Sequence, residues 1–213
     1  MQMSDIDASP PIVVVDLETT GLNGNRHEIL QIAAIKVDWS MEHTLAHMNV
    51  RVMPQHIRTM SDEARKISGY DPDVWAQHAI PRREALLHLK QLADGAVFAG
   101  KNVDFDLHFI EVACGNDDVF IHPHAYPYRG PMELWSMARC LLDAGVLERL
   151  SLNGICKALG VELKRKSDGP HDAWDDAVAT LRCLRRVRAI HSMGVAQWVN
   201  NDKQWPKVTR GAA

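Results

Sequence analysis

The sequence predicts an α/β domain in which a mixed central sheet, built from an antiparallel meander of three strands plus parallel strands, is flanked by helices. Two features support this prediction. Apolar runs of strand length come first along the chain, at residues 12–16, 29–37 and 46–52, and a fourth follows at 96–99. Segments with apolar side chains every three or four positions dominate the second half, as amphipathic helices require.

We expect the first strand to be buried on both faces and the third strand to be buried on one face. The run at 12–16 is continuously apolar, which is typical of a central strand with both faces buried. The run at 46–52 alternates, so Met48, Val50 and Val52 are expected to face the core and the residues between them to face solvent. Because the first three strands follow one another closely, we predict that they pair as an antiparallel meander.

The helices are marked by residues that favour helix ends. Ser61 opens a short helix, and Pro81 starts a longer one that ends at Gly95. A helix at 103–113 follows the fourth strand. Further helices are predicted at about 132–144, 151–159 and 173–193, each followed by glycine.

Composition indicates one domain. The chain has 213 residues, of which 46% are hydrophobic and 24% charged, enough for one good core and too few for two complete domains. We assign residues 12–194 to the domain, 1–11 to an N-terminal tail, and 195–213 to a C-terminal tail that either packs on the domain or docks a partner. No apolar run reaches the roughly 18–20 residues that span a bilayer, and the start lacks a secretion signal, so a cytoplasmic location is expected.

Net charge and cysteine content argue against some classes of protein. The net charge of −3 argues against a protein that coats nucleic acid by bulk attraction. Basic residues at 164–166 could steer phosphates. A second basic cluster, on the last helix, is expected on a solvated outer face: Arg182, Arg185, Arg186 and Arg188. The four cysteines lie far apart without a Cys-x-x-Cys pair, so we interpret them as free thiols.

Two acidic residues follow the first apolar run. Because successive side chains of a strand alternate in direction, Asp16 and Glu18 lie on the same face. The two carboxylates can therefore converge on one cation. Turn formation or helix capping is the alternative for acidic residues at the end of a strand.

Two further carboxylates fall on apolar helix faces. Asp106 is three, four and seven residues from apolar side chains, and Asp176 lies within the apolar stripe of the last helix. An unpaired carboxylate facing a core is costly, so each must pair with a base or bind a metal. Ion pairing is the simpler interpretation for either residue alone. Taken together, four acidic groups from three distant segments favour Mg²⁺ or Mn²⁺ over zinc.

Three motifs occur in order along the chain. They are DLETTG at 16–21, NVDFD at 102–106 and HDAWDDA at 171–177. Together they resemble the motifs of the DEDDh 3′–5′ exonucleases, a family that includes the replicase epsilon proofreading subunit and ribonuclease T. The segment 26–34 is also similar to the one that follows the first motif in these enzymes. The resemblance runs from about residue 12 to residue 184 and implies a ribonuclease H-like fold.

The resemblance implies a role for each matching residue. The metal ligands would be Asp16, Glu18, Asp106 and Asp176, holding two Mg²⁺ or Mn²⁺ ions, and His171 would be the general base. Imidazole is well matched to accepting a proton near neutral pH. Among eleven histidines, only His171 has a motif around it, and the alternative for it is a helix cap or a surface position.

The resemblance also implies substrate contacts. Backbone near the first motif would hold the terminal 3′ hydroxyl, the asparagine of the second motif would orient the sugar or the phosphate backbone, and apolar side chains would wedge the last base. The corresponding residues are Leu17, Thr19, Leu22, Asn102 and Phe105. Phe105 could equally be a packing residue of the core.

The chain departs from the family pattern at three places. Lys101 stands where many members carry histidine, and a lysine can still contact phosphate as a point charge. Glu133 lies near where relatives often have aspartate. The stretch 115–130 is longer than a simple connection and is a candidate cover for the site.

Together with these observations, the resemblance implies a metal-dependent 3′–5′ exonuclease that releases nucleoside 5′-monophosphates from single-stranded ends by a two-metal-ion mechanism, with DNA favoured over RNA. The 3′–5′ polarity rests on the resemblance alone. The alternatives are a 3′–5′ exoribonuclease, a catalytically silent polymerase-accessory subunit that binds nucleic acid, and an unrelated α/β domain whose carboxylates form ion pairs. A polymerase or a second copy of the chain is a candidate partner, and a membrane is not.

Overall fold

The computed structural model describes residues 9–121, 130–164 and 170–200, and from residue 195 onward it describes the side chain of Gln197 only. The strands of this part of the chain are β1 (Ile12–Thr19), β2 (Ile29–Val37), β3 (Thr44–Val52), β4 (Ala79–Ile80), β5 (Val97–Gly100) and β6 (Met132–Glu133). Its helices are α1 (Asp62–Ile67), α2 (Pro72–His78), α3 (Arg82–Ala93), α4 (Val103–Asp117), α5 (Leu134–Asp143), α6 (Leu152–Leu159) and α7 (Ala173–Asn200). Within these described ranges, no helix combines the length and the apolar character needed to cross a bilayer.

The strands form one mixed sheet in the order β4-β3-β2-β1-β5-β6. β1, β2 and β3 pair antiparallel as a meander, whereas β5 is parallel to β1, β6 to β5 and β4 to β3. The prediction of a mixed sheet flanked by helices is therefore confirmed. The edge strands β4 and β6 were not predicted, because two residues are too few to show a period.

The sheet is covered on both faces. Side chains of β1 alternate between two cores: Val13 and Val15 pack with α3 and α4, whereas Ile12 and Val14 pack with α5, α6 and α7. The central strand is thus buried on both sides, as its unbroken apolar run predicted.

Several elements differ from the prediction at one end, among them β3, which begins at Thr44 rather than at residue 46. β1 continues to Thr19, because Glu18 pairs with Gln31 of β2, so both acidic residues lie inside the strand. α4 continues four residues further, to Asp117. α5 begins at Leu134 rather than two residues earlier, because those two residues pair with β5.

The last helix is longer than predicted. α7 runs through Gly194 to Asn200. A glycine ends a helix when it takes the left-handed conformation, as Gly160 does after α6 with a φ of 62°, and Gly194 does not take it. The predicted domain boundary at residue 194 therefore falls inside a helix. α2 was missed, although Asp71 caps it and proline follows at its first position.

The arginines of α7 do not all form the solvated outer face that was predicted. Arg185 and Arg188 donate to backbone carbonyls of the β2–β3 loop (38–43), and Arg186 donates to the carbonyl of Leu159 at the end of α6. These bonds tie the helix to its neighbours. The prediction was wrong for Arg185 and Arg188, which are half-buried, because the sequence does not tell which carbonyl groups face the helix. Arg186 is exposed, as predicted.

Some predictions fall outside the described residues. Of the stretch 115–130, residues 115–117 complete α4, and 122–129 are not described. Of the basic cluster at 164–166, only Lys164 is described. The C-terminal tail beyond residue 200 also lies outside the described part.

Candidate active site

A cleft of about 760 Å³ lies at the carboxyl ends of the parallel strands β1 and β5. Its walls come from the end of β1, the starts of α4 and α6, helix α1, and the segment that leads into α7. Crevices at the carboxyl ends of parallel strands are where α/β sheets commonly bind ligands.

Every residue that the sequence singled out for catalysis, metal ligation or substrate contact lies along this cleft. The set comprises Asp16, Leu17, Glu18, Thr19, Leu22, Asn102, Phe105, Asp106, His171 and Asp176. The fold thus brings together side chains from opposite ends of the domain.

Asp16 and Glu18 are presented by the central strand. They are two residues apart in β1, so both point toward the cleft. Glu18 is buried and Asp16 is half-buried. β2 pairs with β1 along its whole length, which fixes the backbone from which the two carboxylates project.

Asp106 connects α4 to β1. It lies in the first turn of the helix, is buried, and accepts a hydrogen bond at Oδ1 from the backbone N–H of Leu17 at 3.0 Å. Because Leu17 lies between Asp16 and Glu18, this bond fixes three carboxylates relative to one another.

The carboxylates act on one another electrostatically. Burial raises the pKa of Asp16 well above its ordinary value, and three negative charges raise that pKa further, those of Asp106, Asp176 and Glu18. The charge of Lys101 opposes the rise. Burial is also the largest cause of the raised pKa of Asp106. Such a group of charges is unfavourable unless a cation or a proton joins it.

His171 lies immediately before α7 and faces the cleft. Its Nδ1 is 3.7 Å from Oδ2 of Asp176, and 41% of its side chain is exposed. Its backbone N–H donates to the carbonyl of Ile67 at the end of α1, at 2.6 Å. The backbone of this residue is therefore anchored while the ring keeps access to solvent and to the cleft.

Gln31 is a supporting residue that sequence reasoning missed. It is buried in β2, where Nε2 donates to the carboxylate of Asp172 at 3.3 Å and Oε1 accepts from the backbone N–H of Ala173 at 3.4 Å. Asp172 in turn caps the first turn of α7. Gln31 thus fixes the backbone next to His171. Its signal in the sequence was an amide side chain inside the apolar run of β2.

Glu133 holds the turn that carries Asn102. Its carboxylate accepts the backbone N–H groups of Asn102 and Val103, each at 2.8 Å, and of Trp135 at 3.0 Å. Asn102 has a left-handed backbone conformation, with φ 63°, which is uncommon for a residue with a side chain. Glu133 therefore caps the starts of both α4 and α5.

The candidates for substrate contact have different surroundings. Leu22 is 84% exposed at the rim of the cleft. The hydroxyl of Thr19 donates to the carbonyl of Gly21 at 2.7 Å and so shapes the turn after β1. Phe105 packs on Phe109, with ring centroids 4.9 Å apart, and also lines the cleft. Phe105 therefore packs in the core and also presents part of its ring to the cleft.

Two walls of the cleft were not predicted. One is α1 with the residues beside it, and the other is the start of α6. Their lining residues are Ser61, Glu63, Ala64, Ile67, Ser68, Ser151, Leu152 and Asn153. The sequence located both helices, but a periodic pattern does not tell which helix packs beside which strand end.

The donor set fits hard divalent cations chemically. Carboxylate oxygens are the ligands that Mg²⁺ and Mn²⁺ prefer, and the four carboxylates share one region of negative charge. As they stand, no three His, Cys, Asp or Glu side chains of the described residues are gathered closely enough to enclose an ion. The structure brings the charges together without a finished coordination shell.

Comparison with known proteins identifies the family. A family model described as Exonuclease matches residues 13–184. Ribonuclease T of Baumannia cicadellinicola subsp. Homalodisca coagulata is 30% identical over 182 residues, which cover 79% of this chain and 78% of that protein. The PolC-type DNA polymerase III of Staphylococcus saprophyticus subsp. saprophyticus is 26% identical over 179 residues, which cover 84% of this chain and 12% of the polymerase.

Solved structures of exonuclease I share the fold. One matches with a TM-score of 0.71 at 20% identity, over 84% of this chain and 41% of its own. The zinc-bound complex of E. coli exonuclease I with single-stranded DNA matches with a TM-score of 0.72 at 19% identity, over 90% of this chain and 43% of its own. The chain thus spans less than half the length of these exonuclease I chains. Members of the family depend on divalent metal ions. The chain belongs to the exonuclease family, and its domain has the ribonuclease H-like fold of the 3′–5′ exonucleases that the three motifs predicted.

Proposed function

We propose that the protein is a divalent-metal-dependent 3′–5′ exonuclease that removes nucleoside 5′-monophosphates from single-stranded nucleic acid. The observation that carries the proposal is the convergence of four carboxylates and a part-exposed histidine in one cleft of an exonuclease-family domain. The proposed ions are two Mg²⁺ or Mn²⁺, held by Asp16, Glu18, Asp106 and Asp176.

Each group of the chain has a task that its position supports. When bound, divalent ions lower the pKa of a water molecule and stabilise the leaving oxygen of a phosphodiester. His171 accepts the proton of the attacking water at a ring nitrogen, and Asp176 orients the ring and stabilises its charged form. The backbone at Leu17 and Thr19 and the side chain of Asn102 position the 3′ end.

The terminal base is proposed to lie between apolar groups. Leu22 projects from the turn after β1, and Phe105 from the first turn of α4, and both line the cleft. An apolar clamp of this kind holds a base without reading its identity, because every base has a flat face.

DNA is the favoured substrate and RNA is the second candidate. DNA is supported by the structural similarity to exonuclease I, whose solved structures include complexes with single-stranded oligonucleotides. RNA is supported by the sequence similarity to ribonuclease T. The two substrates differ at the 2′ hydroxyl, which a contact in the cleft must sense.

A polymerase or a second copy of the chain is the proposed protein partner. The supporting observation for a polymerase is that a PolC-type polymerase contains a segment 26% identical to this chain. Size-exclusion chromatography with light scattering tests the dimer directly. The cytoplasmic location stays a prediction.

Digestion of labelled oligonucleotides tests the proposed activity. Single-stranded DNA and RNA of one sequence, labelled at the 5′ end, are incubated with Mg²⁺, Mn²⁺ or EDTA. We expect a metal-dependent ladder of products shortened from the 3′ end, with nucleoside 5′-monophosphates released. Intact oligonucleotides that are nevertheless bound would favour the accessory subunit instead.

Variants inside and outside the cleft distinguish a loss of catalytic groups from a general effect of substitution on the protein. Asp106→Ala and His171→Ala should each lower the rate by about 100-fold or more. Asp104→Ala and His88→Ala change exposed residues that do not line the cleft, so both should keep the activity of the wild type. Equal activity in all four variants would contradict the assigned roles.

A further inference from the structure

Among the described residues that line the cleft, Lys101 is the only lysine or arginine, and it faces a lining that contains five carboxylates. A nucleic-acid strand adds one negative charge for each phosphate, so a strand in this cleft needs positive charge from the protein as well as from bound ions.

The ammonium group of Lys101 has a defined position. It lies 4.7 Å from the centroid of the Trp135 ring, and both side chains are half-buried. An ammonium over an indole face is stabilised by the ring quadrupole, and the stabilisation grows as water is excluded. The ring therefore restricts a side chain that is otherwise among the most flexible.

The backbone on both sides of this pair is also restrained. Glu133 accepts the N–H of Asn102, the residue after Lys101, at 2.8 Å and the N–H of Trp135 at 3.0 Å. The preceding residue, Gly100, ends β5 and pairs with Glu133 of β6. Lys101 directly follows β5, and Trp135 lies at the start of α5, which follows β6. Because the two strands are parallel, both side chains lie at the carboxyl ends of the strands, where the carboxylates also lie.

We propose that Lys101 binds a phosphate of the nucleic-acid strand in the cleft and that Trp135 positions its ammonium for this contact. The inference rests on the proposed exonuclease function and adds to it the side chain that offsets the negative charge of the cleft. A lysine binds phosphate as a compact point charge with three donors, so the contact is independent of base sequence and sensitive to salt.

Binding of a fluorescent single-stranded oligonucleotide, measured by anisotropy in EDTA over a series of salt concentrations, tests the contact. Lys101→Met should weaken binding roughly 3- to 10-fold at low salt and should make the slope of log affinity against log salt shallower by about 0.7. Lys101→Arg should restore most of the affinity. Lys90→Met, the same charge change at an exposed position of α3, should match the wild type.

Two further measurements test whether Trp135 positions the ammonium of Lys101 and rule out a loss of folding as the cause of weaker binding. Trp135→Leu should weaken binding, while Trp135→Phe, which keeps a ring beneath the ammonium, should retain most of it, and circular dichroism should show all variants folded. In the digestion assay, Lys101→Met should raise KM more than it lowers kcat.

Unchanged affinity and unchanged salt slope in Lys101→Met would overturn the proposal. Unchanged oligonucleotide affinity with tighter Mn²⁺ binding would also overturn it, and would make Lys101 a counter-ion of the carboxylates. Failure of the exonuclease proposal is distinct, because the wild type would then hydrolyse no oligonucleotide in any metal.

Discussion

At the scale of the residue, Asp106 illustrates how a side chain that is proposed to bind metal can lower the stability of its own fold. Burial raises the pKa of its carboxyl, so ionisation of this group is less favourable in the folded state than in the unfolded state. Asp106→Asn keeps an oxygen for the Leu17 N–H and removes the charge. In EDTA at neutral pH we expect the variant to exceed the wild type in stability by on the order of 1 kcal/mol, roughly 2–4 °C in Tm, while losing activity.

The pH dependence of this difference follows from the direction of the pKa shift. At the lowest pH the carboxyl of Asp106 is protonated in both the folded and the unfolded state, so its charge has no effect. As pH rises from the unfolded to the folded pKa, the wild type loses stability relative to Asp106→Asn, and above the folded pKa the difference is constant. Thermal denaturation over this pH range measures it. Asp104→Asn, an exposed neighbour, is the control and should change Tm little.

Replacing Gln31 should test whether it holds the backbone next to His171 without taking part in the reaction itself. Gln31→Met has a similar size but cannot bond to Asn49, Asp172 or the N–H of Ala173. We expect the free energy of unfolding to fall by about 1–3 kcal/mol and kcat to fall more than KM rises, because the start of α7 is then loosely held. Gln91→Met, an exposed glutamine of α3, should change neither quantity. Wild-type kcat in Gln31→Met would contradict this role.

At the scale of the element, one ion pair joins the start of α3 to the end of α4. Arg82 donates to both oxygens of Asp117, at 2.6 and 2.9 Å, and both side chains are largely buried. A two-bond contact of this kind is among the stronger charge pairs, and breaking it leaves a guanidinium poorly paired. Asp117→Ala should lower the free energy of unfolding by about 1–3 kcal/mol in chemical denaturation, without loss of activity.

The pH dependence of this pair has the opposite sign to that of Asp106. The hydrogen bond from Arg82 lowers the pKa of Asp117 below its unfolded value. The stabilisation is therefore complete above the unfolded pKa and is lost as pH falls through the folded pKa. Asp143→Ala breaks an exposed pair with Arg139 and should cost no more than about 0.5 kcal/mol. Equal losses in the two variants would show that burial does not strengthen the Arg82 pair.

The elements themselves could be predicted where a pattern was long or a cap was clear. β2 and the start of α1 at Ser61 lie where the sequence placed them, because nine mostly apolar residues and a serine cap are strong local signals. β6 could not be predicted, since its two residues are a strand only by virtue of pairing with β5. The end of α7 was misplaced because Gly194 is compatible with a helix as well as with its end.

At the scale of the whole molecule, the residues of the site could be predicted but their supports could not. The motifs predicted that Asp16, Asp106 and Asp176 share one site, because carboxylates within apolar segments need a cation that offsets their burial. The bond from Gln31 to Asp172 and the contact of Lys101 with Trp135 join residues that carry no shared pattern. Such contacts depend on how the helices pack on the sheet, which a local sequence signal does not contain.

The whole domain should respond to the ions that its cleft is proposed to hold. Burial and the charges of the other three carboxylates both disfavour the ionised form of Asp16. A divalent cation that binds the folded state alone relieves the repulsion and shifts the unfolding equilibrium toward that state. At a metal concentration about 100 times Kd, Mg²⁺ or Mn²⁺ should stabilise the wild type by about 2.7 kcal/mol, or roughly 5–10 °C in Tm. Asp16→Asn should show a smaller shift, and Asp104→Asn, which lies outside the cleft, should show the full one. Identical denaturation curves with metal and with EDTA would instead favour an unrelated domain whose carboxylates form ion pairs.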